Sequence, residues 1–383
     1  MDTSSTSGGL KILVVAPGPT YSTYDVYRYY LDALGRRVDW VKGFAYHNLL
    51  VYHTLATQRM YEEYGIDHRG SDHIMTRAAR DLLLDVIVDK PDVVFFIEGS
   101  MFPPQLYSKL LRLRRDMNRN FVIAVYLTEA PYTSEMNQIM ARRCDVVFVN
   151  DRNAVRELDP EDNRMVYYLP HSYSKDVHFP GAVPEHYRQD VFFCGTGFPE
   201  RVELLSAVDW SGIDLRLIGV FSGGGKNMPL SDDEEALEKL RPYIENRTVS
   251  NRELANYYRG SGIVLNIHRR TGWDMGLNLY DASGDAYSMN PRALEVAACG
   301  AFQLSDPRQE VIDVFGDSVP TYVDADDLSV KLRYYLERPD LRENLAEEAR
   351  SRIAHMSYDD RAGWLVDIFS EAVEVRSKLM EVS

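Results

Sequence analysis

The sequence predicts an α/β protein built from two doubly wound parallel sheets. Short apolar runs without polar alternation, which are typical of strands buried on both faces, recur along the chain. Segments with helical spacing separate these runs, so that strand and helix alternate up to about residue 182 and again after it. The chain has 383 residues, 45% of them hydrophobic, which is enough for two cores of ordinary domain size.

In the first half, five apolar runs predict parallel strands, and a sixth segment ends this domain. They are Lys11–Ala16, Val38–Lys42, Val93–Ile97, Phe121–Tyr126, Val146–Val149 and Arg164–Tyr173. Helical spacing predicts helices between them, including Ile74–Val88 and Pro104–Met117. In the second half, predicted strands are Asp190–Gly197, Leu215–Gly219, Ile263–Ile267 and a short strand after Gly300. Thr271–Met289, rich in Gly, Asn and Asp, is expected to be a loop.

Composition and charge limit the possible classes of protein. The net charge is −15, and residues 1–182 carry 21 Lys and Arg against 23 Asp and Glu. An acidic total argues mildly against non-specific binding of nucleic acid, although Arg112, Arg114, Arg115 and Arg119 form either a local basic face or a solvated helix surface. The three cysteines have no metal-ligand spacing. No membrane span or signal core is predicted, residues 1–9 look like a disordered leader, and we expect a cytoplasmic protein.

The most informative stretch runs from Asn290 to Asp306 and predicts a helix, a glycine turn and a short buried strand. Arg292 and Glu295 lie three residues apart, so both project from one face of the helix near its N-terminus. A helix N-terminus attracts anions, and an arginine there suits a diphosphate, whereas Glu295 is suited to accept hydrogen bonds from two hydroxyl groups. The alternative is an ordinary surface pair ahead of a glycine C-cap.

The motif Asn-Pro-Arg-Ala-Leu-Glu-Val-Ala-Ala-Cys-Gly-Ala, residues 290–301, resembles the donor-site motif of GT-B glycosyltransferases, in particular the spore-maturation (CgeB-type) group. The resemblance covers about residues 189–355. It implies two Rossmann-like domains facing a cleft: an acceptor domain at 10–182 and a nucleotide-sugar domain at 183–355. A final helix at 356–383 would cross back to the first domain. Many retaining relatives have a second glutamate eight positions before Glu295, where this chain has Tyr287, so stereochemistry stays open.

Further donor-binding candidates follow the strands of the second half. Gly195 and Gly197 end a strand and let the backbone pass close to a ligand, and Arg201 in the next helix is placed to face phosphates. A plain strand-to-helix turn is the alternative. His268, Arg269 and Arg270 follow another strand, where they would either neutralise a diphosphate or form a solvated surface. Asn290 precedes the central helix.

Candidates for the acceptor side lie at strand ends of the first half. Pro17 and Gly18 follow the first strand, and Glu98 and Glu129 each follow a strongly apolar strand, as general bases, acceptor ligands or structural carboxylates. His171 follows Leu169-Pro170, which resembles the end of the first GT-B domain; it is a catalytic candidate or an ordinary hydrogen-bonded histidine.

These observations favour a hexosyltransferase that uses a nucleoside-diphosphate sugar, with UDP as the first guess, and needs neither metal nor further cofactor. The acceptor is left open between a glycan, a protein and a modified nucleic-acid base. A nucleotide-sugar epimerase of the same fold and a non-catalytic nucleotide-binding module are the alternatives.

Overall fold

The computed structural model describes residues 9–18, 25–67, 70–99, 102–159, 164–223, 230–273, 279–282, 284 and 286–382. Most of the predicted leader therefore lies outside the described residues. The chain divides into two compact units. The first contains the described parts of 1–150, 154–169 and 359–383, and the second contains 151–153 and 170–358.

The first unit is built on a six-stranded parallel sheet. Its strands are β1 Lys11–Ala16, β2 Trp40–Ala45, β3 Val93–Ile97, β4 Val122–Leu127, β5 Val146–Val149 and β6 Met165–Tyr168, in the order β2-β1-β3-β4-β5-β6. The helices along this part of the chain are α1 Val26–Gly35, α2 Tyr46–Tyr64, α3 Ser71–Asp89, α4 Pro104–Asp116, α5 Ser134–Ala141 and α6 Arg152–Leu158. Val93–Ile97, like β4 and β5, is buried at every position, which explains the continuous apolar runs in the sequence.

The second unit is built on a five-stranded parallel sheet. Its strands are β7 Gln189–Cys194, β8 Leu215–Ile218, β9 Ile244–Glu245, β10 Ser261–Asn266 and β13 Gln303–Ser305, in the order β13-β10-β7-β8-β9. A separate antiparallel pair is formed by β11 Thr271–Trp273 and β12 Leu279–Asp281. The helices are α7 Pro199–Ala207, α8 Glu234–Leu240, α9 Asn251–Gly260, α10 Pro291–Ala298, α11 Gln309–Phe315, α12 Ala325–Leu336 and α13 Pro339–Arg352.

The last helix, α14 Tyr358–Val382, packs with the first unit from Asp359 onward. Phe369 contacts Phe95 of β3 and Phe148 of β5, with ring centroids 5.2 and 5.9 Å apart. Arg376 adds an ion pair to Asp145 at 3.3 Å. None of the helices in the described part of the chain is both long and apolar enough to cross a membrane.

Two details of the chain differ from the sequence-based expectation. The first domain was expected to extend to residue 182, but residues 170–182 pack with the second unit, because Tyr173 joins a core cluster with Leu294 and Ile353. Thr271–Met289 was expected to be a loop, but two segments in its first part form the β11-β12 pair, in which the backbones of Thr271 and Asp281 lie opposite each other. Residues 274–278, 283 and 285 of that stretch lie outside the described residues.

Candidate functional site

Arg292 spans the point in the second sheet where the strand order reverses. The chain passes from β7 to β8 and β9 on one side and then to β10 and β13 on the other. Arg292 Nη2 donates to the carbonyl of Cys194 at the end of β7, and Nη1 donates to Asn266 Oδ1 at the end of β10 over 3.3 Å. Ligands of open α/β sheets bind beyond the strand ends at such a reversal, so Arg292 lies where a ligand is expected.

The start of α10 is fixed to the end of β10. Asn290 caps the helix, because its Oδ1 accepts a hydrogen bond from Ala293 N over 3.3 Å. Its Nδ2 donates to Asn266 Oδ1 over 2.6 Å. Pro291 occupies the first turn, where its missing N–H costs nothing. The positive end of the helix and the Arg292 guanidinium therefore lie at the same edge of the sheet.

Arg201 lies behind the loop that follows β7, with only 7% of its surface exposed. Its Nε and Nη2 donate to the carbonyl of Ile267 over 3.2 and 2.9 Å, and Nη1 donates to the carbonyl of Thr196 over 3.1 Å. Burial, and then the positive charge of Arg292, lower the pKa of Arg201 to about 9. The sequence suggested that Arg201 faces phosphates. In the structure Arg201 fixes two strand-end loops and adds positive charge beneath them, and its contact with a phosphate stays a prediction.

Gly195 lies between the two guanidinium groups. A Cβ at this position would lie 3.1 Å from Arg292 Nη2 and 3.2 Å from Arg201 Nη1. Gly197 has a different constraint, because a Cβ there would lie 2.6 Å from the ring of Phe221. The sequence attributed both glycines to close approach of a ligand. The contacts of Gly197 show that the neighbouring loop leaves no room for a side chain there, and the close approach of a ligand stays a prediction.

Neither Arg201 nor Arg292 forms an ion pair within the described ranges. No carboxylate oxygen there lies within 4.0 Å of either guanidinium group, although the side chain of Arg201 is buried and that of Arg292 is half-buried. Their hydrogen bonds go to backbone carbonyls and to an amide. The charges of Glu200 and Asp306 act on Arg201 from a greater distance, as does that of Glu295 on Arg292. The two cations repel each other, and a bound anion would relieve that repulsion.

Glu295 is turned into the interior of the second unit, with 3% of its surface exposed. Tyr258 Oη donates to Glu295 Oε2 over 3.4 Å, and His178 Nε2 lies 3.9 Å from Glu295 Oε1. Burial raises the pKa of Glu295 to about 7, against the opposing effects of Arg292 and Tyr258. In this conformation the carboxyl group faces Tyr258 and His178, and its hydrogen bonds to two hydroxyl groups of a ligand stay a prediction.

The three polar residues that follow Ile267, beyond the end of β10, differ in burial and in the residues they contact. His268 is buried, and its backbone N–H and Nδ1 both contact the carboxylate of Asp306. Arg269 is half-buried above the ring of Phe198, with its guanidinium carbon 5.8 Å from the ring centroid. Arg270 is exposed, and its backbone N–H donates to Glu200 over 2.7 Å. Arg269 is close enough to Arg201 for its positive charge to help lower the pKa of Arg201. Burial lowers the pKa of His268, which favours the neutral form of its imidazole.

In the first unit, candidate acceptor-side residues follow β1 and β3, the two strands between which the strand order of the sheet reverses. Pro17 and Gly18 follow β1, and a Cβ at Gly18 would lie 2.9 Å from Asn48 Oδ1. The carbonyl of Pro17 accepts from the backbone N–H of His47 over 3.0 Å. Burial lowers the pKa of His47 to about 4. His47 was missed because it lies inside a predicted helical segment with no motif around it.

Glu98 has an unusual backbone and an unusual acidity. Its φ is +57°, a left-handed conformation that is rare for a residue with a side chain and is found at functional sites. Gly99 allows this turn to pack tightly, because a Cβ there would lie 2.0 Å from Val125 Cγ2. Burial, and then the negative charge of Glu129, raise the pKa of Glu98 to about 8. Glu98 and Glu129 follow the neighbouring strands β3 and β4, close enough for the charge of Glu129 to act on Glu98.

His171 belongs to the second unit. Burial lowers its pKa to about 4, so the imidazole is neutral at physiological pH and is a weak base. Within the described ranges, no group of three or more His, Cys, Asp and Glu side chains is arranged to hold a metal ion.

Comparison with known proteins places this geometry in context. Residues 201–367 match a family described as glycosyl transferase-like. Spore protein CgeB of Bacillus subtilis is 23% identical over 269 residues, covering 68% of this chain and 81% of that protein. The resemblance to the spore-maturation group inferred from the 290–301 motif is thereby confirmed.

Solved structures share the fold. Sucrose-phosphate synthase from Thermosynechococcus elongatus superposes with a TM-score of 0.63 at 13% identity, covering 95% of this chain and all (100%) of that one. A glycosyltransferase from Rickettsia africae gives 0.58 at 13% identity over 96% and 99% of the two chains. An α-glucosyltransferase solved with UDP and DNA gives 0.59 at 10% identity over 94% and 99%. The chain has the GT-B fold, with two parallel sheets flanked by helices, as predicted.

Proposed function

We propose that the protein transfers a sugar, with a hexose as the first expectation, from a nucleoside-diphosphate sugar to an acceptor. The family match and the structural neighbours support a glycosyltransferase function. The observation that carries the donor assignment is the pair Arg201 and Arg292, which flank Gly195 and have no ion-pair partner among the described residues. A diphosphate is the anionic part of a nucleoside-diphosphate-sugar donor, and it supplies a negative charge that would pair with these two cations.

In the proposed reaction, an acceptor oxygen forms a bond to the anomeric carbon while the bond from that carbon to the diphosphate breaks. Negative charge then grows on the leaving diphosphate. Arg292 and the start of α10 stabilise it directly, and Arg201 does so from beneath the loop. No step of this scheme uses a metal ion, and the nucleotide sugar is a co-substrate rather than a resident cofactor.

The acceptor proton passes to Glu98 in this proposal. A carboxyl group whose pKa lies near 8 is well matched to a general base that works near neutral pH. Glu129 contributes by raising the basicity of Glu98. We rank Glu98 above His171, because the lowered pKa of His171, about 4, makes it a poor proton acceptor.

UDP is the first nucleotide to test, since one structural neighbour was solved with UDP bound. That neighbour was solved with DNA as well, so a modified nucleic-acid base stays among the acceptors, next to glycans and proteins. Charge gives nucleic acid little support: the net charge is −15, and the arginines of α4 are engaged locally, Arg114 with Asp145 and Arg112 with Asp116.

The test is turnover with UDP-glucose and related donors, with and without acceptor mixtures, followed by mass spectrometry of all products. The proposal expects acceptor-dependent release of UDP and a new glycosylated product. A donor that changes only its sugar without any acceptor would indicate an epimerase instead. Tight UDP binding with neither outcome would indicate a binding module.

A further inference from the structure

Asn266 is the last residue of β10 and is completely buried, with 0% of its surface exposed. Its backbone carbonyl accepts from Asp306 N over 3.0 Å and from Tyr322 Oη over 3.2 Å. Its side chain contacts Asn290, Arg292 and Ser305, so one amide group connects β10, β13 and the start of α10. In the sequence, the only sign of this role is a polar residue near the end of an apolar strand.

The neighbouring hydroxyl group fixes which way the Asn266 amide faces. Ser305 Oγ donates its single proton to the carbonyl of Asp306 over 2.8 Å. It is therefore an acceptor toward Asn266, whose Nδ2 donates to it over 3.1 Å. The opposite end of the amide, Oδ1, must then face Asn290 Nδ2 and Arg292 Nη1, which lie 2.6 and 3.3 Å away.

An amide at this position orients Arg292 without neutralising it. A carboxylate would accept the same two hydrogen bonds, but it would place a negative charge at hydrogen-bond distance from the guanidinium group. The chain uses carboxylates freely elsewhere to hold arginines, as Glu245 and Glu253 do for Arg247 over 2.9 Å. Around Arg292, by contrast, the hydrogen-bond acceptors in the described part of the chain are an amide and a backbone carbonyl.

We propose that Asn266 is a positioning residue that directs Arg292 at the diphosphate of the donor while leaving the full positive charge available to it. This inference rests on the proposed donor site and adds a specific determinant of its affinity. The inference predicts that affinity for a nucleoside diphosphate depends on the charge at position 266, and not only on how well the site is packed.

The test measures binding of UDP, inorganic pyrophosphate and uridine by calorimetry to the parent, Asn266→Asp and Asn266→Ala. Asn266→Asp keeps the oxygen that accepts from Asn290 and Arg292, but it replaces the amide donor toward Ser305 with a second oxygen and adds a charge. UDP and pyrophosphate affinity should therefore fall at least about tenfold while uridine affinity stays within about twofold. Asn266→Ala loses these hydrogen bonds but keeps the charge of Arg292. It should therefore bind UDP more tightly than Asn266→Asp.

Asn256→Asp is the matched control, because Asn256 Oδ1 also accepts from an arginine, Arg259 Nη2, on α9. The same added charge there should change UDP affinity by less than about twofold. UDP binding by Asn266→Asp within about twofold of the parent overturns the inference, and so does an equal loss of affinity for uridine and UDP. A parent that binds neither UDP, GDP, ADP nor pyrophosphate overturns the proposed donor site itself.

Discussion

The guanidinium groups of Arg201 and Arg292 come from two different helices and flank the same glycine, Gly195, so that a Cβ there would lie 3.2 and 3.1 Å from their nearest nitrogens. Arg201 is held by backbone carbonyls of the loops after β7 and β10. Arg292 is held by the ends of the same two strands. The arrangement concentrates positive charge at the reversal of the sheet and holds it rigidly there.

Replacing Arg292 should weaken nucleotide binding without unfolding the protein. Arg292→Ala removes a half-buried cation, and we expect UDP affinity to fall by about tenfold to a hundredfold. Arg292→Lys keeps the charge but not the bidentate geometry of the guanidinium group, and it should lose less UDP affinity than Arg292→Ala. Isothermal titration calorimetry measures both. Arg333→Ala, which removes an exposed arginine paired with Asp209, is the control and should bind like the parent.

Adding one methyl group at Gly195 should disturb both arginines at once. In Gly195→Ala the new Cβ would meet the ring of Phe193 at 2.9 Å as well as the two guanidinium nitrogens, so the arginines must move. We expect UDP affinity to fall at least about tenfold with only a small loss of thermal stability. Gly35→Ala meets nothing within 4 Å and serves as the control. Unchanged UDP affinity in Gly195→Ala would show that this spacing is not required.

The sequence predicted the architecture well because the central strands of the first sheet are buried at every position, and most positions of β7, β8 and β10 in the second sheet are buried as well. It also predicted the start of the helix that carries Arg292, because a helix start after a loop has a recognisable pattern. It failed where a role depends on contacts between distant segments. Nothing near Asn266 in the sequence indicates that its amide meets Asn290 and Ser305, and the apparent pairing of Arg292 with Glu295 gave no sign that Glu295 faces Tyr258 and His178.

The rate of transfer should depend on the protonation of Glu98. Because the pKa of Glu98 is raised to about 8, the base is protonated and inactive at lower pH, and kcat/KM should rise with pH until it levels off above about 8. Single-turnover transfer across pH 6–10 checks this (roughly two pH units on either side of that value).

Glu98→Gln should no longer show the rise of kcat/KM with pH. Its rate of transfer should fall at least about a hundredfold while it still binds UDP. Glu129→Gln should shift the rise of kcat/KM to lower pH, because removal of the negative charge of Glu129 lowers the pKa of Glu98. His171→Ala is expected to keep the same rise of kcat/KM with pH as the parent. A pH profile that Glu98→Gln leaves intact would place the base elsewhere.

Transfer should not require a divalent metal ion. Arg292, Arg201 and the start of α10 carry the stabilisation of the diphosphate in the proposed scheme. Treatment with EDTA followed by desalting should therefore leave kcat within about twofold of the untreated enzyme. Loss of activity with EDTA that Mg²⁺ or Mn²⁺ restores would contradict this part of the proposal.

The most direct measurement of the central claim is thermal unfolding of the parent protein with and without UDP, GDP and ADP, each alongside its nucleoside. A ligand that binds only the native state raises the unfolding temperature in proportion to the logarithm of its concentration over its Kd. We predict that at least one nucleoside diphosphate, UDP first, raises it by several degrees at about a hundredfold excess over its Kd, that its nucleoside raises it less, and that Arg292→Ala removes the difference. No shift with any of the three diphosphates, or an equal shift in the parent and Arg292→Ala, would contradict a donor diphosphate site at Arg292.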